Sequence, residues 1–181
     1  MQRFLMVISL VLMFILVPLK VQALNLFATN INNTDRVAFR EAIRNSGANV
    51  VREAGEDNWF DVYDMSASFK QSKRFFVGYD KASGRFAFAE HQLAYNYFST
   101  MLLRLQAKYG EATKTFGKFD SDLKYSWVVD GITIELQQQW AKNNTRLSYI
   151  HPQNLQALQQ AYRQFKSTAF AESLKTNESY F

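Results

Sequence analysis

The chain has 181 residues, of which 48% are hydrophobic and 20% charged; this is the composition of a folded globular protein and excludes overall disorder. Its formal net charge is +5, and no run of Lys and Arg is long enough to indicate a nucleic-acid interface, so we expect no nucleic-acid partner. It contains no cysteine, which excludes disulfides, thiolate metal sites and a lipid-modified cysteine.

The N-terminus has the order of an export signal. Arg3 gives a short positive region, and residues 4–17 form an almost unbroken apolar run. Val21-Gln22-Ala23 then matches the small-x-small pattern that signal peptidase reads. The run is shorter than the ~20 apolar residues that span a bilayer. We therefore predict a cleaved signal peptide at residues 1–23, a periplasmic or secreted location, and no stable membrane insertion after cleavage.

In the first half of the mature chain, the pattern predicts one helix followed by three strands. Asn33 or Thr34 can cap the helix, and Gly47 supplies the left-handed residue that stops it. Alternation in the third strand places Phe86 and Phe88 on the same face. The three strands are predicted at residues 59–65, 74–79 and 85–90.

The second half repeats this order. A helix with 3.6-residue apolar spacing ends at Gly110. Asp130-Gly131 predicts a tight hairpin turn, because both turn positions need a positive φ. Residues 34–91 and 94–151 are therefore predicted to form a two-fold repeat. The strands of the second half are predicted at residues 124–130, 132–136 and 146–151.

Together these elements predict an α+β fold, in which an antiparallel sheet packs on helices within a single domain at residues 24–170. Trp127 shares a strand face with Tyr125, which predicts that the indole is buried. Pro152 opens a last helix that should dock on the body of the domain, and residues 171–181 are predicted to form a flexible tail. The apolar stripe of this last helix consists of Leu155, Leu158, Tyr162, Phe165 and Ala169.

Two motifs that resemble catalytic or metal sites are incomplete. Ser121 and Lys124 have the serine–lysine spacing of penicillin-recognising enzymes, but the S-D-N and K-T-G motifs that this chemistry also needs do not occur. His91 and His151 are the only histidines, and without cysteine a zinc site would have to recruit carboxylates. Ordinary structural roles are the simpler interpretation of all four residues.

The acidic residues do not form a recognisable site either. Glu53, Glu56 and Asp57 lie close together but lack the regular spacing and the closing Glu of a calcium loop. We therefore predict no catalytic residue, no metal site and no cofactor, and a protein that is not an enzyme.

The aromatic residues carry the functional prediction. Alternation places Phe60 and Phe76 on the face opposite their aromatic neighbours, and an antiparallel sheet can leave such a face open to a partner. We predict that Phe60 and Phe76 bind a partner protein of the envelope or the secreted fraction. Two alternatives stay open: a carrier of a small apolar ligand held between sheet and helices, and a hydrolase whose carboxylates, such as Glu90 and Glu135, converge only in the fold.

The motifs W-F-D-V-Y-D, Y-S-W-V-V-D-G-I-T-I-E-L and R-L-S-Y-I-H-P, in this order, look like those of small exported bacterial proteins. The order of elements is similar to the tandem helix-plus-three-strands proteins typified by the β-lactamase inhibitor protein, and to small outer-membrane-assembly proteins. This resemblance covers about residues 34 to 152 and implies binding to another protein rather than catalysis. The assembly proteins are lipid-anchored through a cysteine, which this chain lacks.

Overall fold

The structure, a computed structural model, describes residues 23–53, 55, 59–116 and 122–178, with side chains through residue 169. Residues 1–22 of the predicted signal peptide lie outside these ranges. No helix within them combines the length and the apolar character needed to cross a membrane. The other predicted residues that lie outside are Ser121, Glu56 and Asp57.

Within the described residues the chain forms ten strands and three helices. The strands are β1 Asn25–Leu26, β2 Thr29–Asn30, β3 Asn49–Arg52, β4 Phe60–Asp64, β5 Ser72–Tyr79, β6 Phe86–Ala94, β7 Thr113–Phe116, β8 Leu123–Val129, β9 Ile132–Gln139 and β10 Asn144–Ile150. The helices are α1 Arg36–Asn45, α2 Phe98–Tyr109 and α3 Pro152–Glu178, and short 3-10 turns occupy Tyr95–Tyr97 and Trp140–Lys142.

The main sheet of the described chain is antiparallel and has the spatial order β3-β4-β5-β6-β10-β9-β8-β7. Each half of the chain supplies a helix and then four strands, and the last strand of each half, β6 or β10, lies at the centre. This confirms the predicted α+β fold with tandem helix-and-strand units and a C-terminal helix. The sequence pattern missed β3 and β7, whose residues are all exposed, because no buried face imposes an alternation on them.

The core lies on the face of the sheet that packs against α1 and α2. Phe39 and Ile43 of α1 are fully buried, and the ring of Phe39 meets that of Phe86 edge-on at 5.6 Å. Trp127 is 5% exposed and donates from Nε1 to the carbonyl of Gly110 at 2.9 Å. The predicted burial of Trp127 is therefore confirmed.

Capping residues and residues with a positive φ determine where α1 and α2 begin or end and where the β8–β9 hairpin turns. Gly47 and Gly110 follow α1 and α2 with φ angles of 87° and 83°, in the region that disfavours a side chain. Asp130 and Gly131 have φ angles of 52° and 75°, which confirms the predicted tight turn between β8 and β9. α1 is capped slightly later than predicted, by Asp35, whose carboxylate accepts from the third helical N–H.

A buried ion pair fixes α1 to the sheet. Arg40 donates from Nε and Nη2 to the two oxygens of Asp61, both at 2.8 Å, and Asp61 is fully buried. The hydroxyl of Tyr63 lies 3.3 Å from the same carboxylate and 3.2 Å from Glu53. Because this bidentate pair is shielded from water, the removal of one partner leaves an uncompensated charge that costs about 3–5 kcal/mol.

A bulge in β6 changes which face its aromatic residues occupy. Gly78 of β5 pairs with Phe88, whereas the next residue, Tyr79, pairs with Phe86, so Ala87 is the extra residue. Phe86 consequently packs against α1, whereas Phe88 lies on the opposite face. The prediction that Phe86 and Phe88 share a face is wrong, because the bulge shifts the alternation by one residue.

α3 packs on the face of the sheet opposite α1 and α2, which we call the open face. It begins directly after β10 and lies over β5 and β6 of the first half. Leu158 of α3 is 5% exposed and lies above Gly78, so the start of the helix docks through its apolar stripe. The later residues of the predicted stripe, Tyr162, Phe165 and Ala169, are exposed. The helix continues to Glu178; the domain limit at residue 170 and the flexible tail stay predictions.

Candidate functional site

Side chains on the open face form rows that cross the strands, because the register places facing residues side by side. The apolar row contains Phe60, Gly78, Phe88, Ile150, Thr133 and Val128. The acidic row contains Val62, Phe76, Glu90, Ser148, Glu135 and Ser126. The basic row contains Arg74, Gln92, Arg146, Gln137 and Lys124. Every row runs from the first half of the chain into the second.

A cleft of about 600 Å³ lies between α3 and the open face. This volume falls within the ~300–1,000 Å³ that small-molecule sites occupy. A smaller hollow of about 220 Å³ adjoins it beside β5. The strand residues that form the floor of the cleft are Phe88, Glu90, Arg146, Ser148 and Ile150. Its walls are formed by Trp59, Phe60, Leu155, Leu158, Gln159 and Tyr162.

The two residues predicted to bind a partner lie together on the open face. The rings of Phe60 and Phe76 are 5.8 Å apart and tilted by 70°, and both side chains are half-buried. Both line the smaller hollow, and Phe60 also lines the cleft. Their predicted contact with a partner protein stays a prediction.

Aromatic stacking attaches α3 to the edge of the cleft. The indole of Trp59 meets the rings of Tyr162 and Phe165 at 5.1 and 5.6 Å, and the ammonium of Lys81 lies 4.8 Å above the indole. Such edge-to-face contacts contribute ~0.5–1.5 kcal/mol beyond the area that they bury. These contacts position α3 beside Trp59, while Tyr162 and Phe165 stay exposed on their outer sides.

An acid and a base meet at the floor of the cleft. Glu90 Oε2 lies 3.7 Å from Arg146 Nη1, and Arg146 Nη2 donates to Gln137 Oε1 at 2.9 Å. Burial raises the pKa of the Glu90 carboxyl above its usual range, although the positive charges of Arg146 and Lys142 oppose this shift. Arg146 Nε is buried and has no hydrogen-bond partner among the described residues. Glu90 also accepts hydrogen bonds from the side chains of Ser148 and Gln92, so the floor is a small polar group within an apolar cleft.

The second carboxylate of the hydrolase alternative lies further along the acidic row. Glu90 and Glu135 face the same residue, Ser148, from its two sides, so their backbones lie two strand spacings, roughly 10 Å, apart. Glu135 accepts from Lys124 Nζ at 2.6 Å. Each carboxylate therefore has its own cation, and Glu135 does not line the cleft.

His91 lies on the other face of the sheet, in the core. Its Nδ1 is 3.1 Å from Ser72 Oγ, and its ring stacks on Phe75 at 4.2 Å. Burial lowers the pKa of His91 to about 3, so the imidazole is neutral at physiological pH. The pair is 1% and 8% exposed, and a Ser–His pair that substrate cannot reach has a structural role.

The remaining candidate residues have structural partners. His151 accepts at Nδ1 from the backbone N–H of Asn154, at the start of α3. Glu53 pairs with Arg44 at 3.3 Å. In the ranges that the structure describes, no three His, Asp or Glu side chains are grouped so that they could hold a metal ion.

Sequence reasoning missed most of the cleft. It identified Phe60 and named Glu90, but it did not connect them with Arg146 or with Trp59. The usable signal was the apolar stripe of the last helix, since a helix that follows the central strand must pack on one of the two faces. The bulge at Ala87, which turns Phe88 into the cleft, leaves no such signal.

No family model matches the chain, and no curated protein matches it. Among solved structures, the chain is similar to a DUF4309 family protein (YjgB) from Bacillus subtilis subsp. subtilis str. 168, with 12% sequence identity and a TM-score of 0.45. The match covers 71% of this chain and 86% of that protein. These comparisons give no support to the resemblance to the β-lactamase inhibitor protein or to the outer-membrane-assembly proteins.

Proposed function

We propose that the chain is an exported, non-enzymatic binding protein of the bacterial envelope, and that the cleft on its open face holds a small, largely apolar ligand. The observation that carries this proposal is the cleft of about 600 Å³ between α3 and the sheet. Most of its lining is aromatic or aliphatic, and a few polar groups meet at one place on its floor. This combination is typical of a small-molecule site.

The residues that follow the proposed cleavage site support export. Ala23 is exposed, whereas the side chain of Leu24 is 2% exposed and its carbonyl accepts from the N–H of Ile31 at 3.2 Å. The proposed cleavage after Ala23 would leave Leu24, which is buried in the domain, as the first residue of the mature chain. Mass spectrometry of the protein recovered from its host should find Leu24 as the first residue; a stable membrane-bound form that keeps Met1 would contradict export.

The charges on the open face favour binding over hydrolysis. A general acid and base need carboxyl groups that are free to exchange protons with a substrate. Glu90 and Glu135 instead lie beside different cations, Arg146 and Lys124, and only Glu90 reaches the cleft. We therefore rank the ligand carrier above the hydrolase.

Titration with N-phenyl-1-naphthylamine, an uncharged apolar dye that fluoresces when it leaves water, tests the cleft. We expect saturable binding of the dye to the purified protein. Gln159 lies on the wall of the cleft and is exposed, so Gln159→Trp should fill the cleft and weaken binding roughly tenfold or more without unfolding the protein.

The next residue of the same helix provides the matched control. Gln160 is also exposed but does not line the cleft, so Gln160→Trp should leave dye binding unchanged. Absence of saturable binding to the unmodified protein, or equal effects of the two variants, would reject the cleft as the site.

A protein partner that contacts Phe60 and Phe76 is the second candidate. Their paired, half-buried rings extend the apolar surface beyond the end of the cleft, where Arg52 lies 4.8 Å above Phe60. This function would be favoured if the dye does not bind while Phe60→Ser and Phe76→Ser together abolish recovery of one defined envelope protein.

A further inference from the structure

We infer that the ligand of the cleft is uncharged, with an apolar body and a head group that both donates and accepts hydrogen bonds, such as an amide, placed between Glu90 and Arg146. This inference rests on the proposed function and specifies the chemical class of its ligand.

The cleft separates an apolar region from a small polar one. Trp59, Phe88 and Tyr162 supply aromatic surface, and Leu155 adds aliphatic surface from α3. The polar groups of the floor are neighbours in the register, since Glu90 faces Ser148 and Arg146 lies two residues away on the same strand. A ligand that fills the cleft therefore presents apolar atoms along most of its length and polar atoms at one end.

At this polar end Glu90 and Arg146 oppose each other, and Lys142 adds a further positive charge near Glu90. Glu90 and Arg146 lie 3.7 Å apart, so any head group that reaches one of them is also close to the other. A carboxylate attracted by Arg146 would be repelled by Glu90. An ammonium attracted by Glu90 would be repelled by Arg146. Either ion would lose its hydration shell for an attraction that an adjacent charge opposes, whereas an uncharged head group avoids that loss.

The geometry also leaves hydrogen bonds for such a head group to make. The Glu90–Arg146 separation of 3.7 Å exceeds the roughly 2.7–2.9 Å of a direct charge-assisted hydrogen bond. Gln137 accepts from Arg146 Nη2, so Nη1, the nitrogen on the side of Glu90, is the donor left for a ligand. Glu90 already accepts from the side chains of Ser148 and Gln92, but a carboxylate has about four acceptor sites, so an amide can still offer its N–H to Glu90 and its carbonyl to Arg146.

Three probes that share a ten-carbon chain and differ in the head group test this inference: decanamide, decanoate and decylammonium. Isothermal titration at pH 7 measures their affinities for the purified protein. We expect decanamide to bind at least about tenfold more tightly than either ion, because only the amide keeps both polar contacts without ionic desolvation.

Two glutamate variants sharpen the test. Glu90→Gln removes the repulsion and leaves Arg146 unopposed, so it should improve decanoate binding roughly tenfold. Glu135→Gln removes the next acid of the same row, which lies outside the cleft, and should change none of the three affinities.

The outcomes separate this inference from the proposed function. If the dye binds but decanoate matches or exceeds decanamide, or if none of the three probes binds, the ligand class is wrong and the cleft remains the binding site. Equal effects of Glu90→Gln and Glu135→Gln would also overturn the inference. If the dye itself shows no saturable binding, the proposed function fails and this inference fails with it.

Discussion

The two halves of the sheet are alike on one face and different on the other. On the face below α1 and α2, both halves present buried aromatic and aliphatic side chains, such as Phe75 in β5 and Trp127 in β8. On the open face, the first half presents aromatic rings and is packed against α3. The corresponding strands of the second half present polar residues and the exposed Val128.

This difference teaches where function can be sought in a repeated fold. The face of the sheet that packs against α1 and α2, which we call the helix face, is buried in both halves. Substitutions on the helix face should therefore change stability in either half. On the open face, α3 covers strands of the first half and leaves most of the second half uncovered. The cleft lies where this coverage begins, between α3 and the sheet. The predictions below test this division, from the largest expected effect to the smallest.

Trp127→Ala tests whether the core of the second half lies on the helix face alone. Truncation of this buried indole should lower the free energy of unfolding by about 3–5 kcal/mol, since it leaves a cavity and removes the hydrogen bond to Gly110. The adjacent Val128 is 76% exposed, and Val128→Ala should change stability by less than ~0.5 kcal/mol. Denaturant unfolding measures both, and equal losses would show that the second half is packed on both faces.

Acid should destabilise the first half, because its helix face holds the buried His91. The folded state keeps the pKa of His91 at about 3, well below the ordinary histidine value of 6.5. Between these values the unfolded chain binds more protons, so stability should fall as the pH falls from 6.5, by ~1.4 kcal/mol per pH unit.

The raised pKa of Glu90 has the opposite effect on stability. Because the folded state takes up a proton at Glu90 more readily than the unfolded chain, acid stabilises the fold at this residue and partly offsets the loss caused by His91. His91→Gln isolates the histidine. In urea unfolding between pH 4.5 and 6.5, the variant should lose the steep dependence that the unmodified protein shows; parallel curves would mean that His91 is protonated in the folded state.

Gly78→Ala tests the close approach of α3 to the first half. A Cβ at this position would overlap the ring of Phe88 and lie 2.9 Å from Leu158 Cδ2. Such overpacking should cost about 1–3 kcal/mol, and it should weaken dye binding because Phe88 must move within the cleft. A Cβ at Gly55 meets no atom within 4 Å, so Gly55→Ala is the neutral control. A Gly78→Ala protein of unchanged stability would place α3 further from the sheet.

The smallest effect on stability is expected for Phe60→Ser combined with Phe76→Ser. Both rings are half-buried and contact each other at the edge of the open face, so the double change should cost less than ~2 kcal/mol while it weakens dye binding. Val128→Ser, on the same face of the other half, should alter neither property. If the double variant unfolds, these rings belong to the core and the open face of the first half is structural.

The parts of the fold that could be predicted are those that depend on local chemistry. The positive φ angles at Asp130-Gly131, and at the glycines that follow α1 and α2, reflect the conformational preferences of Gly and Asp. The burial of Trp127 follows from alternation within one strand. These features need only a few neighbouring residues.

The rest depends on contacts that no short window contains. The edge strands β3 and β7 are exposed along their whole length, so they form because a neighbour offers hydrogen bonds and not because of their own pattern. The bulge at Ala87 and the choice of face by α3 together decide that Phe88 and Arg146 meet in one cleft. For this reason Phe60 could be placed from the sequence, whereas the cleft itself could not.

The pairing of β6 with β10 has a consequence for the order of folding. Phe88 faces Ile150 and Ala94 faces Asn144, so every contact between these central strands encloses most of the second half of the chain. The hairpins β5–β6 and β8–β9 close much shorter loops, and loops of smaller size close at a lower entropic cost. We therefore expect hydrogen-exchange labelling during refolding to protect these hairpins first and the seam between β6 and β10 last. Until that seam forms, the cleft has no floor, and its aromatic rings stay exposed to any chaperone that accompanies the chain.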